Sequence, residues 1–180
     1  MRHGICLETG AKGFLGSEIV RQIVAAHLPV RATDKNPESK TPAMDYRPAD
    51  ILELSSTDSL FSDVTHVIHV AGLAHIFNKT QAVVAPFNAV NEQGTANMCR
   101  VAAKAGVGHF LLISSVSVYG PSTQGMYDEN APYLPVGFKR RASTKHNNVQ
   151  SKLRKNLECH SRFYVWRHYM EETIRVMWHG

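Results

Sequence analysis

Three glycines at a regular spacing form the part of this sequence best suited to chemistry. Gly10, Gly13 and Gly16 are separated by two residues each in the segment TGAKGFLG, between an apolar stretch and a helical pattern. In such a loop the first glycine permits a tight turn, the second lets a diphosphate approach the backbone, and the third lets the helix pack closely on a strand. Free N–H groups and the positive end of the helix dipole then attract the diphosphate. The sequence therefore predicts a dinucleotide-binding loop, to which we also assign Lys12, Phe14 and Leu15.

An acidic residue follows this loop at the distance that such a site requires. Asp34 comes 18 residues after Gly16, at the end of a second apolar stretch. A carboxylate there can accept hydrogen bonds from both ribose hydroxyls of the adenosine and repels a 2′-phosphate, so NAD is favoured over NADP. Lys35 beside it weakens that preference. Asp34 could instead be a turn residue before the sequence KNP.

The elements that must position these residues alternate between strands and helices. The apolar patterns predict strands at 4–8, 29–33, 66–70 and 109–114, and helices at 14–27 and 90–106, the second ended by Gly106. Strands separated by helices imply right-handed crossovers and a parallel sheet covered on both faces. The predicted fold class is therefore α/β, a Rossmann-like doubly wound parallel sheet.

Further motifs occur in a fixed order along the same region. They are ADI at 49–51, HVAG at 69–72, VNEQGT at 90–95 and ISSVSVYG at 113–120. Together with the glycine loop and Asp34, they resemble the extended short-chain dehydrogenase/reductase family, in its nucleotide-sugar epimerase and dehydratase branch. The resemblance covers residues 1 to about 135. It implies NAD as the cofactor and a nucleotide-sugar as the substrate.

The resemblance also implies roles for individual residues. Asp50 and Ile51 would border the adenine, and Ala71 and Gly72 would run beneath the adenosine ribose, with Val70 before them also in the cofactor site. Asn91 would lie behind the nicotinamide side, and Ser115 would be the catalytic hydroxyl. Other interpretations stay open for several of them. Asp50 could merely end a strand, and Asn91 could be a buried amide that bridges backbone groups. Adjacent strand residues face opposite ways, so only one of Ser114 and Ser115 can point into the cleft.

The catalytic base of the family is missing from this sequence. Members of the family ionise a tyrosine with the help of a lysine four residues later, because an isolated phenol with a pKa near 10 is a poor base at neutral pH. The resemblance places that tyrosine near position 140, where Phe138 is the nearest aromatic residue. None of the six tyrosines has a lysine four residues later. We therefore expect catalysis to be weak or absent.

Charge divides the chain at about the same place. Residues 1–136 hold 10 Lys+Arg and 12 Asp+Glu, a net charge of −2, whereas residues 137–180 hold 10 and 3, a net charge of +7. This predicts an NAD-binding Rossmann domain over 1–136 and a basic tail over 137–180 that is foreign to the family. A frameshifted, truncated or chimeric gene would produce such a junction. The alternative is a divergent tail in which Lys145 or His146 replaces the missing pair.

The tail carries a pattern of its own. Phe163, Trp166, Met170, Ile174 and Met177 recur at helical spacing, which predicts an amphipathic helix. A non-catalytic NAD-binding module whose basic tail contacts a partner is the alternative function. Nucleic acid is a poor candidate for that partner, because no reader motif accompanies the basic residues. The resemblance implies a C-terminal substrate lobe after the Rossmann domain, and we expect this chain to be truncated before that lobe. The family often dimerises through the Tyr-x-x-x-Lys helix, so a homodimer is possible but has no support from this sequence.

Several remaining features bound the setting of the protein. No run approaches the roughly 18 apolar residues of a membrane span, and no secretory signal is recognisable, so a cytoplasmic protein is predicted. Cys6, Cys99 and Cys159 lie far apart, which favours reduced thiols and no metal site. Glu8 occupies a strand position that the family fills with an apolar residue. A carboxylate there needs a partner, a raised pKa or access to solvent.

Overall fold

A computed structural model of the 180-residue chain describes residues 4–38, 43, 45–55, 59–73 and 81–114, of which 81–83 by backbone alone, and the backbone of 162–166. Within these residues, no helix is long and apolar enough to cross a lipid bilayer.

Six parallel strands of the described residues form one sheet. They are β1 (Ile5–Thr9), β2 (Val30–Thr33), β3 (Asp45–Tyr46), β4 (Val64–His69), β5 (His109–Ile113) and β6 (Arg162–Trp166), in the spatial order β3-β2-β1-β4-β5-β6. The chain moves from β1 towards one edge and returns to β4 on the other side of β1, so the winding direction reverses between these two strands. In doubly wound sheets the ligand cleft lies at the carboxyl ends of the strands at this reversal. The predicted Rossmann-like fold is confirmed.

Helices cover both faces of the sheet. They are α1 (Phe14–Ala25), α2 (Gln81–Asn88) and α3 (Thr95–Lys104), and a π-helical segment (Ala89–Gly94) joins the last two. Alternate strand residues feed two cores, as the period of a strand requires. Ile19 and Ile23 of α1 pack with Ile68 of β4 on one face, whereas Met98 of α3 packs with Phe110 of β5 on the other.

The predicted helix over 90–106 is only partly correct. Its first residues belong to the π-helical segment, and the α-helix proper begins at Thr95 and ends at Lys104. The last residue of the π-helical segment is Gly94, where a Cβ would lie 2.5 Å from Cδ1 of Ile51. The loop around Ile51 therefore packs directly on the helix backbone. Gly106 stands in the left-handed region with φ 75°, two residues beyond the helix end, where a glycine is favoured.

The helix predicted from Phe163 is wrong over its first turn. Arg162–Trp166 forms β6, which pairs in parallel with β5. The sequence RFYVW is rich in aromatic and β-branched residues that suit a strand, and the free edge of β5 supplies backbone partners that a spacing pattern does not reveal. Met170, Ile174 and Met177 lie outside the described residues.

Candidate cofactor site

A cavity of about 900 Å³ opens where the carboxyl ends of β1, β2, β4 and β5 meet. This volume is of the order that small-molecule and cofactor sites require. The predicted cofactor residues that line it are Gly10, Gly13, Phe14, Leu15, Gly16, Asp34, Asp50, Ile51, Val70, Ala71, Gly72 and Asn91. Lys12 is the predicted cofactor residue that stands outside the cavity wall.

The glycine loop has the geometry of an anion cradle. Gly10 has φ 89°, and its N–H donates to the Thr33 carbonyl oxygen at 2.9 Å, which starts the turn at the end of β1. The first helical hydrogen bond of α1 runs from the Ser17 N–H to the Gly13 carbonyl oxygen at 3.0 Å. The N–H groups that precede it have no acceptor within the helix, and the first turn contains no acidic residue. The loop therefore offers backbone donors and a positive helix end to an anion.

Gly16 lets the helix approach the strand closely. A Cβ at Gly16 would collide with the carbonyl oxygen of Gly10 and would lie 2.6 Å from Oε1 of Glu8. Any side chain at this position would therefore push α1 away from β1. The close packing that the sequence predicts for the third glycine is present.

Asp34 takes part in a turn and also lines the cavity, while its contact with the adenosine ribose stays a prediction. Its Oδ1 accepts the Asn36 N–H at 3.3 Å, which is a turn interaction, and its Oδ2 accepts the Lys12 N–H at 3.4 Å. The half-buried carboxyl group nevertheless lines the cavity next to Lys35. Lys12 points elsewhere, since its Nζ donates to the carbonyl oxygen of Glu38 at 2.8 Å. Lys12 thus ties the glycine loop to the turn that follows Asp34.

The next wall of the cavity is a turn held from two sides. Oδ1 of Asp50 accepts the Leu52 N–H at 2.9 Å, so Asp50 caps a turn and does not end a strand. Ile51 is buried against Gly94 of the π-helical segment. The Nδ2 of Asn97, which the sequence pattern did not single out, donates to the carbonyl oxygens of Ile51 and Leu52 at 3.2 and 3.0 Å.

Asn91 bridges backbone groups across the cavity floor. Its Oδ1 accepts the Leu73 N–H at 2.8 Å and its Nδ2 donates to the Leu73 carbonyl oxygen at 3.0 Å. Both functional ends of this buried amide are therefore engaged by one residue. Asn91 shapes the segment after β4, as the interpretation of a bridging amide expected.

A buried polar chain fixes the start of that segment. The Thr9 hydroxyl lies 2.7 Å from Nδ1 of His69, and Nε2 of His69 lies 3.1 Å from the Thr95 hydroxyl. The Thr9 hydroxyl oxygen also accepts the N–H groups of Val70 and Ala71, each at 3.2 Å. His69 is 1% exposed. This histidine is a packed structural residue that holds the backbone beneath the cavity.

Some lining residues were missed from the sequence. They include Thr33, Leu73, Phe87, Val90, Ile113 and Ser114. Thr33 and Ser114 end predicted strands, so the topology could have indicated them, whereas Phe87 belongs to a helix that the patterns did not predict. The Thr33 hydroxyl is buried and has no hydrogen-bond partner in the described part of the chain. Ser115 lies outside the described residues, so its selection over Ser114 stays a prediction.

Glu8 lies directly under the glycine loop. It is 0% exposed, and neither carboxyl oxygen has a hydrogen-bond partner among the residues described. Burial, with a further contribution from the charge of Asp34, raises the pKa of Glu8 well above its ordinary value. The sequence left three possibilities for this carboxyl group, which were a partner, a raised pKa or access to solvent. Among the described residues, the structure favours the raised pKa.

Known proteins share both the sequence motifs and the fold. The family model described as the NAD dependent epimerase/dehydratase family matches residues 6–144. A dTDP-glucose 4,6-dehydratase of Streptomyces niveus is 30% identical over 145 residues, which cover 72% of this chain and 43% of the relative. A UDP-glucose 4-epimerase of Vibrio cholerae is 28% identical over 146 residues, which cover 77% of this chain and 44% of the relative.

A solved structure supports the same fold. The UDP-glucuronic acid 4-epimerase of Bacillus cereus, in complex with UDP-glucuronic acid and NAD, superposes with a TM-score of 0.78 at 20% identity and covers 91% of this chain and 55% of its own. The chain spans less than half the length of the two relatives named above, the dehydratase of Streptomyces niveus and the epimerase of Vibrio cholerae. The family model covers more than half of this chain and agrees with the motifs and the sheet order. The chain belongs to the NAD-dependent epimerase/dehydratase family.

Proposed function

We propose that this chain binds NAD across the cavity, as the dinucleotide half of a nucleotide-sugar epimerase or dehydratase, and that its own catalysis is weak or absent. The observation that carries the proposal is the cradle at the start of α1, where the glycine loop and the first residues of the helix line the cavity. A dinucleotide diphosphate matches this site in charge and in the donors that it needs.

The other walls fit the remaining parts of the cofactor. Asp34 would accept hydrogen bonds from the adenosine ribose, and the turn at Asp50 and Ile51 would border the adenine. The buried Thr33 hydroxyl would find an acceptor or donor in a bound ligand. The segment from Val70 to Leu73, which Thr9 and Asn91 hold in place, would form the floor. When bound, NAD supplies a hydride acceptor for sugar oxidation.

The substrate class follows from the relatives. The dehydratase and the epimerase named above act on dTDP-glucose and UDP-glucose, and the solved neighbour holds UDP-glucuronic acid. We propose that this chain retains Ser115 as the catalytic hydroxyl but lacks the tyrosine and lysine that would remove the sugar proton. We also propose that residues 1–136 form the cofactor domain and that residues 137–180 have a separate origin. The DNA sequence of the gene tests the separate origin of residues 137–180, because another reading frame after the codon for Val136 should then encode a Tyr-x-x-x-Lys helix.

The first prediction concerns cofactor preference. Calorimetric titration should give tighter binding of NAD than of NADP, because the Asp34 carboxylate accepts from ribose hydroxyls and repels a 2′-phosphate. Asp34→Asn should weaken NAD binding about tenfold, since one charge-assisted hydrogen bond is worth about 1.5 kcal/mol or more. The same variant should reduce the difference in affinity between NAD and NADP. Glu53→Gln, an exposed charge change outside the cavity, is the control. Tighter binding of NADP than of NAD would contradict the assignment.

The second prediction concerns turnover. With NAD bound, a panel of UDP- and dTDP-linked sugars should give no reduced cofactor and no epimerised or dehydrated product above background, because no tyrosine in the sequence has the lysine partner. Turnover without any added chain would instead show that Lys145 or His146 replaces the missing pair. NAD binding without turnover is also what a non-catalytic module with a basic partner-binding tail would give. Capture of a partner only when residues 137–180 are present would favour that module.

A further inference from the structure

The buried side of the diphosphate cradle holds an acidic group. Glu8 extends from β1 towards α1, and its Oε1 would touch any Cβ placed on Gly16. The same virtual atom would collide with the Gly10 carbonyl oxygen, so the carboxyl group, the Gly10 turn and the first turn of α1 meet at one point. Its strand neighbours are Ala32 of β2 and Ile68 of β4, which are both apolar. The carboxyl group is therefore separated from the cavity by little more than the glycine loop.

The charged and titratable groups around this point do not neutralise Glu8. Asp34 adds a like charge at the end of β2, and on β1 itself the thiol of Cys6 has its pKa raised by burial and then by the charge of Glu8.

The remaining charged and titratable groups nearby are bonded to other partners. Arg31 of β2 bonds to Asp45 and to carbonyl oxygens of the 59–62 loop. On β4, His66 stacks on His109 and His69 lies between two threonine hydroxyls. On α1, Glu18 and Arg21 pair with each other at the surface.

We propose that Glu8 couples a proton to the occupation of the cradle: the site holds a dinucleotide tightly when Glu8 is neutral, and binding draws a proton onto Glu8 when it is ionised. The inference rests on the proposed NAD site. An ionised Glu8 and a diphosphate would both be attracted by the positive end of α1, one from beneath the loop and one from the cavity. They would repel each other through a medium that contains little water, where charges interact strongly.

The coupling must act in both directions. If bound diphosphate raises the pKa of Glu8, then ionisation of Glu8 weakens binding by the same factor. If the ligand raises that pKa by one unit, the protein with ionised Glu8 has a dissociation constant about tenfold larger than the protein with neutral Glu8. Burial already favours the neutral acid in the free chain, so tight binding is expected below the pKa of Glu8 in the folded chain, and weaker binding is expected above it.

The test measures NAD binding by calorimetry from about pH 6 to about pH 9, in buffers of different ionisation enthalpy, for the full chain and for Glu8→Gln. The full chain should lose affinity for NAD as pH rises through the pKa of Glu8, about tenfold for each unit by which NAD raises that pKa, and should take up protons on binding in that interval. Glu8→Gln should bind with little change in that range, and Glu53→Gln should behave like the parent chain. Glu8→Val provides a second variant without a titrating group, should the glutamine variant fail to fold.

Adenosine binding tests whether the diphosphate, and not the rest of the ligand, causes the pH dependence. It carries no phosphate, so its affinity should follow the same pH course in the parent chain and in Glu8→Gln. Equal pH courses for NAD in the parent chain and both Glu8 variants would overturn the coupling while leaving the NAD site intact. No NAD binding by the parent chain at any pH would overturn the coupling and the proposed function together.

Discussion

Gly13→Val is expected to remove measurable NAD binding, weakening it at least about 100-fold, while the chain still folds. Gly13 precedes α1 with φ −72° and ψ 162°, a conformation that valine adopts readily. A Cβ there would lie 3.1 Å from the Gly10 carbonyl oxygen, a tight contact that requires this backbone oxygen to move by a few tenths of an ångström. The branched side chain would, however, project into the cavity over the cradle. Because backbone contact with the diphosphate needs the space that valine fills, binding should be lost.

Calorimetric titration with NAD and urea unfolding measure the two sides of this prediction. The free energy of unfolding should fall by about 1–3 kcal/mol, the usual cost of overpacking. Gly108→Val is the matched control, because it adds the same side chain at an exposed glycine with ordinary spacing and away from the cavity. Gly16→Ala would be a poor test, since its Cβ would collide with backbone and disturb the fold itself. Unchanged NAD affinity in Gly13→Val would mean that the loop is not the cradle.

Glu8→Val is expected to raise the free energy of unfolding, by about 1–3 kcal/mol for removal of a buried polar group without a partner. The gain should also depend on pH. Because the folded-state pKa of Glu8 is raised, the unfolded chain releases the proton first, and the stability of the parent chain falls as pH rises above the usual glutamate pKa of about 4.3. The advantage of the valine variant should therefore grow by about 1.4 kcal/mol per pH unit until the folded-state pKa is reached.

Urea unfolding at about pH 5 and about pH 8 gives this difference directly. Glu53→Val removes a carboxyl group that is exposed in the fold, so it should show no comparable growth between the two pH values. If the gain in Glu8→Val were the same at both pH values, Glu8 would have to be ionised and compensated in the folded chain. If the valine variant were less stable than the parent chain, the carboxyl group would have to make stabilising contacts.

The sequence indicated the parts of the site that depend on short-range geometry. The spacing of Gly10, Gly13 and Gly16 identifies a turn and a helix start, and Asp34 follows at the distance set by one strand-helix-strand unit. Predicted strand bounds lie within about two residues of those observed because buried parallel strands are continuous apolar runs. Asn91 and Gly72 came from motif resemblance, and the structure brings their atoms together: Oδ1 of Asn91 would lie 3.1 Å from a Cβ on Gly72.

Other features escaped the patterns because contacts distant in sequence produce them. Helix α2 contains Pro86, which weakens a helical prediction, and its connection to α3 is a π-helical segment whose Gly94 accommodates Ile51. Phe163 and Trp166 have helical spacing, yet they belong to a strand because the backbone of this segment pairs with the edge of β5. In each case hydrogen bonds or packing from another part of the chain outweigh the local preference.

The sequence by itself therefore determined the fold class, the glycine loop and the carboxylate after β2, because these follow from hydrophobic period, glycine spacing and chain order. It also showed the lack of a Tyr-x-x-x-Lys pair. Only the tertiary structure decided that Glu8 has no hydrogen-bond partner among the described residues, that the Asn91 side chain bonds to the Leu73 backbone, and that the Lys12 side chain bonds to Glu38. Burial and partner choice depend on which strands and helices meet, and that information is not contained in any single segment.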